Sequence, residues 1–225
     1  MISVIIPTLN AAQFLPATFR CLFDAAIDGF IGEVIVSDGG STDATLAIAE
    51  AAGAKIVVSE RGRGQQLRAG AAVACKPWLL FLHADTVLNL GWEEEAKAFM
   101  LGRGEGAAAA FRFRLADGGL RARLLEALVT LRCAIFSLPY GDQGLLISRK
   151  LYDAIGGFSP IPIMEDVNLV RRIGRKRLVM LKTAAITSAG RFRSEGYFRR
   201  CVRNLRCLLL YFRGVPPEKL VDLYK

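Results

Sequence analysis

The chain has 225 residues, of which 52% are hydrophobic and 23% are charged, which suits one domain with a sizeable core and excludes an intrinsically disordered chain. Its 30 Lys and Arg outnumber its 21 Asp and Glu, and residues 171–225 hold 15 of the former against 3 of the latter, so the excess positive charge lies in the C-terminal part and predicts an anionic partner. Because no uncharged apolar run reaches 18 residues and no signal-type cleavage site follows the first residues, we expect a cytoplasmic protein without a transmembrane helix.

Short β-rich segments alternate with helical patterns through the first 90 residues. Continuous apolar strands separated by helices of this length predict a parallel sheet that is covered on both faces, and hence an α/β fold. We predict strands at residues 3–7, 34–37, 56–58 and 78–82, and helices at residues 11–27, from a cap at 41–43 to 52, and at 65–74.

The alternation is less regular after residue 85. The second half is expected to decorate the sheet that the first half builds. We predict helices at residues 92–101, 195–212 and 217–224 and one that begins near 165, strands at 108–115 and 145–148, and a long apolar segment at 120–138.

Three polar or glycine-rich segments follow predicted strands, at residues 37–43, 61–64 and 83–86. In open parallel sheets, ligands bind beyond the carboxyl ends of the strands. Asp38 stands at a strand end ahead of two glycines, where its carboxylate could accept hydrogen bonds from a base or ribose, or could simply shape a turn. The 61–64 loop offers backbone amides and two guanidiniums to a diphosphate, but its glycine spacing is not that of a redox dinucleotide site.

Residues 83–86 also contain two potential metal ligands. Asp85 beside a diphosphate would suit Mg²⁺ or Mn²⁺, which share substrate phosphates with hard protein oxygens. A capping role for Asp85 and a buried, hydrogen-bonded imidazole for His83 are the structural alternatives. The chain has one histidine and five scattered cysteines without a CxxC pair, which excludes a multi-histidine site and disfavours a structural zinc site or a disulfide framework.

Two further polar clusters lie later in the chain. Residues 139–144 form a polar turn after the long apolar segment, and Glu165 and Asp166 open a predicted helix. Paired acids at a helix start commonly complement the helix dipole. The functional alternative is a general base that removes the proton of a hydroxyl nucleophile.

These motifs, in this order, resemble the family 2 glycosyltransferases of GT-A fold: SVIIPTLN at residues 3–10, SDGGSTDAT at 37–45, HAD at 83–85 and ED at 165–166. FLHADT, PYGDQG and the ending RGVPPEKLVDLYK look like a compact bacterial subgroup associated with radical-SAM and selenium-related genes. The resemblance implies a single domain over residues 1–225. Its parts would be a nucleotide-binding half at 1–90 with a mostly parallel, Rossmann-like sheet, an acceptor and catalytic half at 91–190, and a basic tail of amphipathic helices at 191–225.

The resemblance also implies an inverting transfer, in which a base-activated hydroxyl attacks the anomeric carbon of a nucleotide-diphospho-sugar. Asp166 would be the base, and Glu165 would orient Asp166 or the acceptor. Mn²⁺ or Mg²⁺ would bind Asp85 and His83; the imidazole replaces the first acid of the family's DxD motif and suits Mn²⁺ better than Mg²⁺. The residues implied to bind the nucleotide-sugar are Pro7, Leu9, Asp38, Arg63, Gln66, Asp85 and Arg191, and those implied to face the donor sugar and acceptor are Gly141, Asp142 and Gln143.

The segment 197–212 has two distinct faces when it is placed on a helix. It either packs on the domain with a solvated basic face or lies on an anionic membrane surface, in which case the 120–138 segment could shelter a lipid-linked acceptor. Nucleic acid is not an expected partner, because the arginines alternate with aliphatic rather than aromatic residues. One face holds Phe198, Cys201, Val202, Leu205, Leu208, Leu209 and Phe212, and the other holds Arg199, Arg200, Arg203 and Arg206.

Two other functions remain open at this point. A metal-dependent nucleotidyltransferase would need the same sheet, basic loop and carboxylate, but would use a nucleoside triphosphate. A non-catalytic, membrane-associated protein that binds nucleotide-sugars is favoured only by His83, and Asp38, Asp85 and Asp166 argue against it.

Overall fold

A computed structural model describes residues 1–224, in which eight strands form one sheet. The order of the strands across the sheet is β3-β2-β1-β4-β7-β6-β8-β5. The strands are β1 (Ile2–Thr8), β2 (Ile31–Asp38), β3 (Lys55–Val58), β4 (Trp78–Phe81), β5 (Thr86–Leu88), β6 (Ala108–Leu115), β7 (Leu145–Ser148) and β8 (Leu178–Thr187).

Ten α-helices surround this sheet in the described part of the chain. Short 3₁₀ turns at Gly104–Gly106, Gly141–Gln143 and Arg175–Arg177 complete the connections. The helices are α1 (Leu15–Ile27), α2 (Thr45–Ala51), α3 (Arg63–Val73), α4 (Trp92–Arg103), α5 (Leu120–Phe136), α6 (Arg149–Ala154), α7 (Glu165–Ile173), α8 (Gly190–Glu195), α9 (Tyr197–Phe212) and α10 (Pro217–Tyr224).

Strands β1 to β4 pair in parallel, and β6 pairs in parallel with β8. Strand β7 is antiparallel to both of its neighbours, and β5 is antiparallel to β8. All residues of β1 are buried because helices cover both faces of the sheet: Val4 and Ile6 pack in the layer of α1 and α4, whereas Ile5 packs in the layer of α3 and α7. The predicted α/β fold with a mostly parallel sheet and flanking helices is confirmed.

Strands β5 and β8 and helices α6 and α8 are not among the predicted elements. Strand β5 has three residues, and α6 and α8 have six each, which is too short for a hydrophobic period to develop. Strand β8 has ten residues, but it follows the basic run Arg175–Arg177 and contains Lys182, so its pattern is not that of a continuous apolar strand. It pairs with β6 across a register shift between Ala110 and Arg112.

Helix α9 packs on the domain, but with a different face from the one that the apolar pattern predicts. Its buried residues are Arg200, Cys207 and Leu208, and the Arg200 guanidinium forms a 2.6 Å ion pair with Glu195. Arg203 pairs with the other oxygen of the same carboxylate. The predicted apolar side is largely exposed, because the helix turns its paired arginines inward: Phe198, Val202, Leu205, Leu209 and Phe212 all face solvent. Within residues 1–224, no helix is both long and apolar enough to cross a bilayer.

Candidate active site

A cleft of about 700 Å³ opens where β1 and β4 end. Parallel strands bring their carboxyl ends to one edge of a sheet, so segments that are far apart in the chain meet there. Of the predicted site residues, the cleft is lined by Pro7, Leu9, Arg63, Gln66, His83, Asp85, Gly141, Asp142, Asp166 and Arg191. Asp38, Gln143 and Glu165 do not line it.

Asp166 is fixed at the start of α7 by two backbone amides. Gly141 N–H donates a 2.7 Å hydrogen bond to Oδ2, and Val167 N–H donates a 2.7 Å hydrogen bond to Oδ1. Gly141 must be a glycine here, because a methyl group at its Cα would lie 2.8 Å from Nε2 of His83. The close approach brings the loop after β4, the 3₁₀ turn and α7 together around one carboxylate.

Arg63 and Glu165 form a 2.6 Å ion pair behind this carboxylate. Glu165 is 1% exposed; burial raises the pKa of its carboxyl, and the Arg63 guanidinium opposes that rise. The charge of Glu165 in turn raises the pKa of Arg63 above its ordinary value. Gly64 allows this pairing, because a methyl group there would lie 2.5 Å from the carbonyl oxygen of Ser159 in the loop before α7. The pair therefore holds the cationic loop at the mouth of the cleft.

His83 and Asp85 lie on the loop that follows β4. Burial, and then the charges of Arg63 and Arg191, lower the pKa of His83 to about 3, so its imidazole is neutral at ordinary pH. Burial raises the pKa of Asp85, and Arg191 opposes the rise. Within residues 1–224, no three His, Cys, Asp or Glu side chains are grouped to hold a metal ion, so any such ion would take most of its ligands from substrate and water.

Asp142 places an unsatisfied carboxylate oxygen at the cleft. Its Oδ1 is buried and has no hydrogen-bond partner within residues 1–224. Burial raises the pKa of Asp142 to about 6, with Asp166 and Asp85 adding to the rise and Arg132 opposing it. A buried acceptor without a partner is uncommon in a folded protein, and a ligand that donates a hydrogen bond would satisfy it.

A comparison with protein-family models identifies the family. The family model described as Glycosyl transferase family 2 matches residues 3–162. This chain belongs to glycosyl transferase family 2. The predicted family and the predicted enzyme class, a glycosyltransferase, are therefore confirmed at the level of the family.

One curated relative of this family 2 chain is the PGL/p-HBAD biosynthesis glycosyltransferase of Mycobacterium tuberculosis (strain H37Ra), which is 38% identical over 95 residues. The aligned stretch covers 39% of this chain and only 36% of the relative. The same protein from Mycobacterium bovis (strain BCG / Pasteur 1173P2) aligns to the same extent.

The fold is similar to that of glucosyl-3-phosphoglycerate synthase from Mycobacterium tuberculosis, at 23% sequence identity. The complex of that enzyme with Mg²⁺ and UDP aligns with a TM-score of 0.63 over 82% of this chain and 69% of the other. Its complex with Mn²⁺, UDP and glucosyl-3-phosphoglycerate aligns with a TM-score of 0.60 over 82% and 70%. The predicted GT-A-type fold is thereby confirmed.

The structure of this family 2 domain differs from the prediction at Asp38. The residue is 1% exposed, and its oxygens accept hydrogen bonds from the Thr8 hydroxyl at 2.9 Å, from Gly40 N–H at 2.9 Å and from Ser41 N–H at 2.7 Å. Burial alone would raise the pKa of Asp38, but these hydrogen bonds outweigh it and hold the pKa below its usual range. Asp38 therefore shapes the loop after β2 and does not face the cleft. Gln66 lines the cleft, yet its amide nitrogen is already bound to the carbonyl oxygens of Thr8 and Ser37.

Gln143 and Glu165 also differ from their predicted places. The amide nitrogen of Gln143 donates to Phe111 O at 2.9 Å, and its oxygen accepts from Tyr140 N–H at 3.2 Å and from Arg132 at 3.2 Å, so this buried side chain holds the turn instead of facing a ligand. Glu165 pairs with Arg63 and does not line the cleft.

Several residues of the cleft are absent from the predicted site, among them Tyr140, Arg200, Asn204 and Tyr224. Tyr140 lies under the Arg132 guanidinium, 3.4 Å from its ring centroid. Tyr224, on α10, lies beside Arg63 and adds to the rise in the pKa of that guanidinium. The sequence gives no sign that Arg200, Asn204 and Tyr224 reach the cleft, because only the packing of α9 and α10 on the domain brings them there.

Proposed function

We propose that this chain transfers a sugar from a nucleotide-diphospho-sugar to a hydroxyl acceptor, with inversion at the anomeric carbon. The observation that carries the proposal is that Asp166, fixed by the Gly141 amide, lines the same cleft as Asp85 and the cationic Arg63 loop. A base, a potential metal ligand and diphosphate-binding cations therefore share one space. Family membership and the UDP-containing structures of the similar synthase support the donor class.

The donor would lie along the edge formed by β1, α3 and β4. Pro7 and Leu9 would contact the base, and Arg63 and Arg191 would contact the diphosphate. Asp38 and Gln66 would act indirectly, because their hydrogen bonds set the shape of the loops on which the donor rests.

Asp166 would act as the general base. Its carboxylate takes the proton of the acceptor hydroxyl, the acceptor oxygen bonds to the anomeric carbon, and the bond from that carbon to the diphosphate oxygen breaks with its electron pair on the leaving nucleoside diphosphate. Arg191 would stabilise the charge that grows on the leaving group. Asp142, with its unsatisfied Oδ1, would accept a hydrogen bond from a hydroxyl of the donor sugar or of the acceptor. Gly141 and Gln143 would hold the turn that carries Asp142.

A Mn²⁺ or Mg²⁺ ion fits this end of the cleft. Asp85 offers a carboxylate and His83 a neutral imidazole nitrogen, and such ions commonly take one or two protein ligands beside substrate phosphates. When bound, the ion would neutralise negative charge on the diphosphate. The imidazole favours Mn²⁺ over Mg²⁺.

We also propose where the protein acts and which kind of acceptor it uses. We place the protein at the cytoplasmic face of the membrane, peripherally bound and acting on a lipid-linked acceptor; the exposed apolar residues of α5 and α9 support this. The division into a nucleotide-binding half, an acceptor half and a basic tail, and membership of the radical-SAM and selenium-associated subgroup, stay predictions.

The activity can be tested before the acceptor is identified, with water in its place. Release of nucleoside diphosphate from UDP-, GDP- and dTDP-sugars is measured for the wild type, for Asp166→Asn and for Asp153→Asn, an exposed aspartate outside the cleft. We expect Asp166→Asn to lower the rate about 10²- to 10⁴-fold while nucleotide binding is retained, and Asp153→Asn to behave as the wild type. Full activity in Asp166→Asn would show that another group is the base.

A further inference from the structure

Helices α5 and α9 each expose a continuous apolar stripe. On α5 the stripe consists of Leu120, Leu124, Leu128, Leu131 and Ile135. On α9 it consists of Phe198, Val202, Leu205, Leu209 and Phe212. Spacings of three and four residues place each set on one side of its helix. These ten side chains, here called the two-helix apolar face, are 46% to 89% exposed, and none of them lines the cleft.

The two helices are linked at their starts. Near the start of α5, Asp117 accepts hydrogen bonds from the Tyr197 hydroxyl at 2.7 Å and from Arg193 at 2.9 Å, which fixes the start of α9. Beyond the end of α5, Leu138 belongs to the same buried cluster as Cys207 of α9. The two helices therefore share a contact at their starts and a buried cluster farther along.

Their buried sides account for their attachment to the domain and leave the apolar stripes outside. Helix α5 buries Ala122, Val129 and Cys133 against β6, and α9 buries Arg200, Cys207 and Leu208. Monomeric proteins rarely expose so many large apolar side chains together unless the surface binds something.

The charges beside the stripes indicate which kind of partner this surface binds. Arg121 and Arg123 on α5, and Arg199, Arg206 and Arg213 on or directly after α9, are all exposed. Helix α9 contains no acidic residue, and the one acid of α5, Glu126, is buried and paired with Arg123. A second copy of this chain would set arginines against arginines, whereas an anionic lipid surface would neutralise them.

We infer that the two-helix apolar face docks on an anionic phospholipid bilayer, with its apolar side chains at the boundary between headgroups and acyl chains and its arginines on lipid phosphates. Helices with an apolar side and flanking cations bind bilayers in the interface plane. The inference gives the peripheral association in the proposed function a defined surface, and it can fail independently of the activity. It also explains why α5 exposes leucines, which membrane binding through α9 alone would leave unexplained.

The test is flotation of the full chain with vesicles of phosphatidylcholine alone and of phosphatidylcholine with phosphatidylglycerol. The variants are Leu124→Gln with Leu128→Gln on α5, and Val202→Gln with Leu205→Gln on α9. The matched control is Leu90→Gln with Leu101→Gln, which removes two leucines that lie outside the face and are even more exposed. Because all these side chains are exposed, the thermal midpoints of the variants should stay near that of the wild type.

We expect the wild type and the control to float with the anionic vesicles and not with the neutral ones. Each double variant should bind the anionic vesicles about tenfold more weakly, and high salt should weaken wild-type binding. Failure of the wild type to float would overturn the inference, whether or not nucleotide-sugar is cleaved. So would equal binding by the variants, or sedimentation showing a wild-type dimer that the same substitutions dissociate, since a second copy would then cover the face.

Discussion

The backbone N–H of Gly141 donates a 2.7 Å hydrogen bond to Oδ2 of Asp166, and this contact joins the turn after α5 to the first turn of α7. The two residues are 25 positions apart in the chain. The same turn carries Asp142, so one contact positions two of the three aspartates that line the cleft. The importance of this hydrogen bond can be tested by a substitution that fills the space beside Gly141.

Gly141→Ala should disrupt the site more than the fold. The added methyl group would lie 2.8 Å from Nε2 of His83, so the turn or the His83 imidazole must shift, while its 3.4 Å distance from Oδ2 of Asp166 is an ordinary contact. We expect a loss of about 1–3 kcal/mol in the free energy of unfolding and a large loss of nucleotide-sugar cleavage. Gly102→Ala is the matched control, because a methyl group there meets nothing within 4 Å and should be neutral or stabilising. Unchanged cleavage in Gly141→Ala would contradict the role assigned to this contact.

Glu165→Gln should destabilise the protein strongly. The substitution leaves the Arg63 guanidinium without its 2.6 Å partner, and removing one member of a buried ion pair costs about 3 kcal/mol or more. Chemical denaturation measures the change. Glu105→Gln provides the comparison: its 3.6 Å pair with Lys150 is exposed, so its loss should cost less than about 1 kcal/mol. Equal effects of the two substitutions would mean that the Arg63–Glu165 pair does not hold the loop.

Asp142→Asn should stabilise the protein above pH 6 while it impairs the reaction. Burial raises the pKa of Asp142 to about 6 from its ordinary value of 3.8, so the folded state binds this proton more tightly than the unfolded state does. Stability is therefore lost as the pH rises from about 4 to about 6 and is not regained above that. Asparagine carries no charge, so the variant should be more stable than the wild type by about 3 kcal/mol at pH 8 and equally stable below pH 4.

Denaturation curves from pH 4 to pH 8 measure this difference. A variant that is less stable than the wild type at pH 8 would show that the Asp142 carboxylate is stabilised in the fold. The catalytic part of the prediction is separate: nucleotide-sugar cleavage should fall, because the amide replaces a carboxylate that would bind a substrate hydroxyl.

Tyr224→Phe should weaken donor binding with little effect on the fold. It removes the hydroxyl that lies beside Arg63 and raises the pKa of its guanidinium, and therefore loosens a group that would bind the diphosphate. We expect a twofold to tenfold higher KM for the nucleotide-sugar, about 0.5–1.5 kcal/mol, with kcat largely unchanged. Tyr211→Phe removes a hydroxyl that accepts a 3.1 Å hydrogen bond from Asn168 outside the cleft, so its KM should equal that of the wild type. Equal KM values for the two variants would exclude a donor-binding role for Tyr224.

The sequence predicts the site best where the backbone alone determines position. The segments after β1, β3 and β4 had to meet because parallel strands end at one edge, and Leu9, the Arg63 loop and Asp85 do lie at the cleft. The sequence does not tell which side chains turn inward. The Asp38 carboxylate accepts a hydrogen bond from Thr8, thirty residues earlier in the chain. The Gln143 amide donates one to Phe111, thirty-two residues earlier.

The orientation of α9 is a further case that no periodicity resolves. Its apolar pattern predicts burial of the stripe that contains Leu205, yet Arg200 is buried and Leu205 is exposed. The reason is the carboxylate of Glu195, which receives Arg200 and Arg203 on the inner side of the helix. A paired guanidinium can be buried, and hydrophobicity alone carries no information about its partner.

Calorimetric titration with UDP, GDP and dTDP, each with and without Mn²⁺, tests the central claim most directly, with Asp85→Asn and Asp166→Asn beside the wild type. The account predicts that one diphosphate binds the wild type in a metal-dependent manner, that Asp85→Asn loses this dependence, and that Asp166→Asn binds as the wild type. Absence of binding by all three diphosphates, or metal-dependent binding that Asp85→Asn leaves intact, would contradict it.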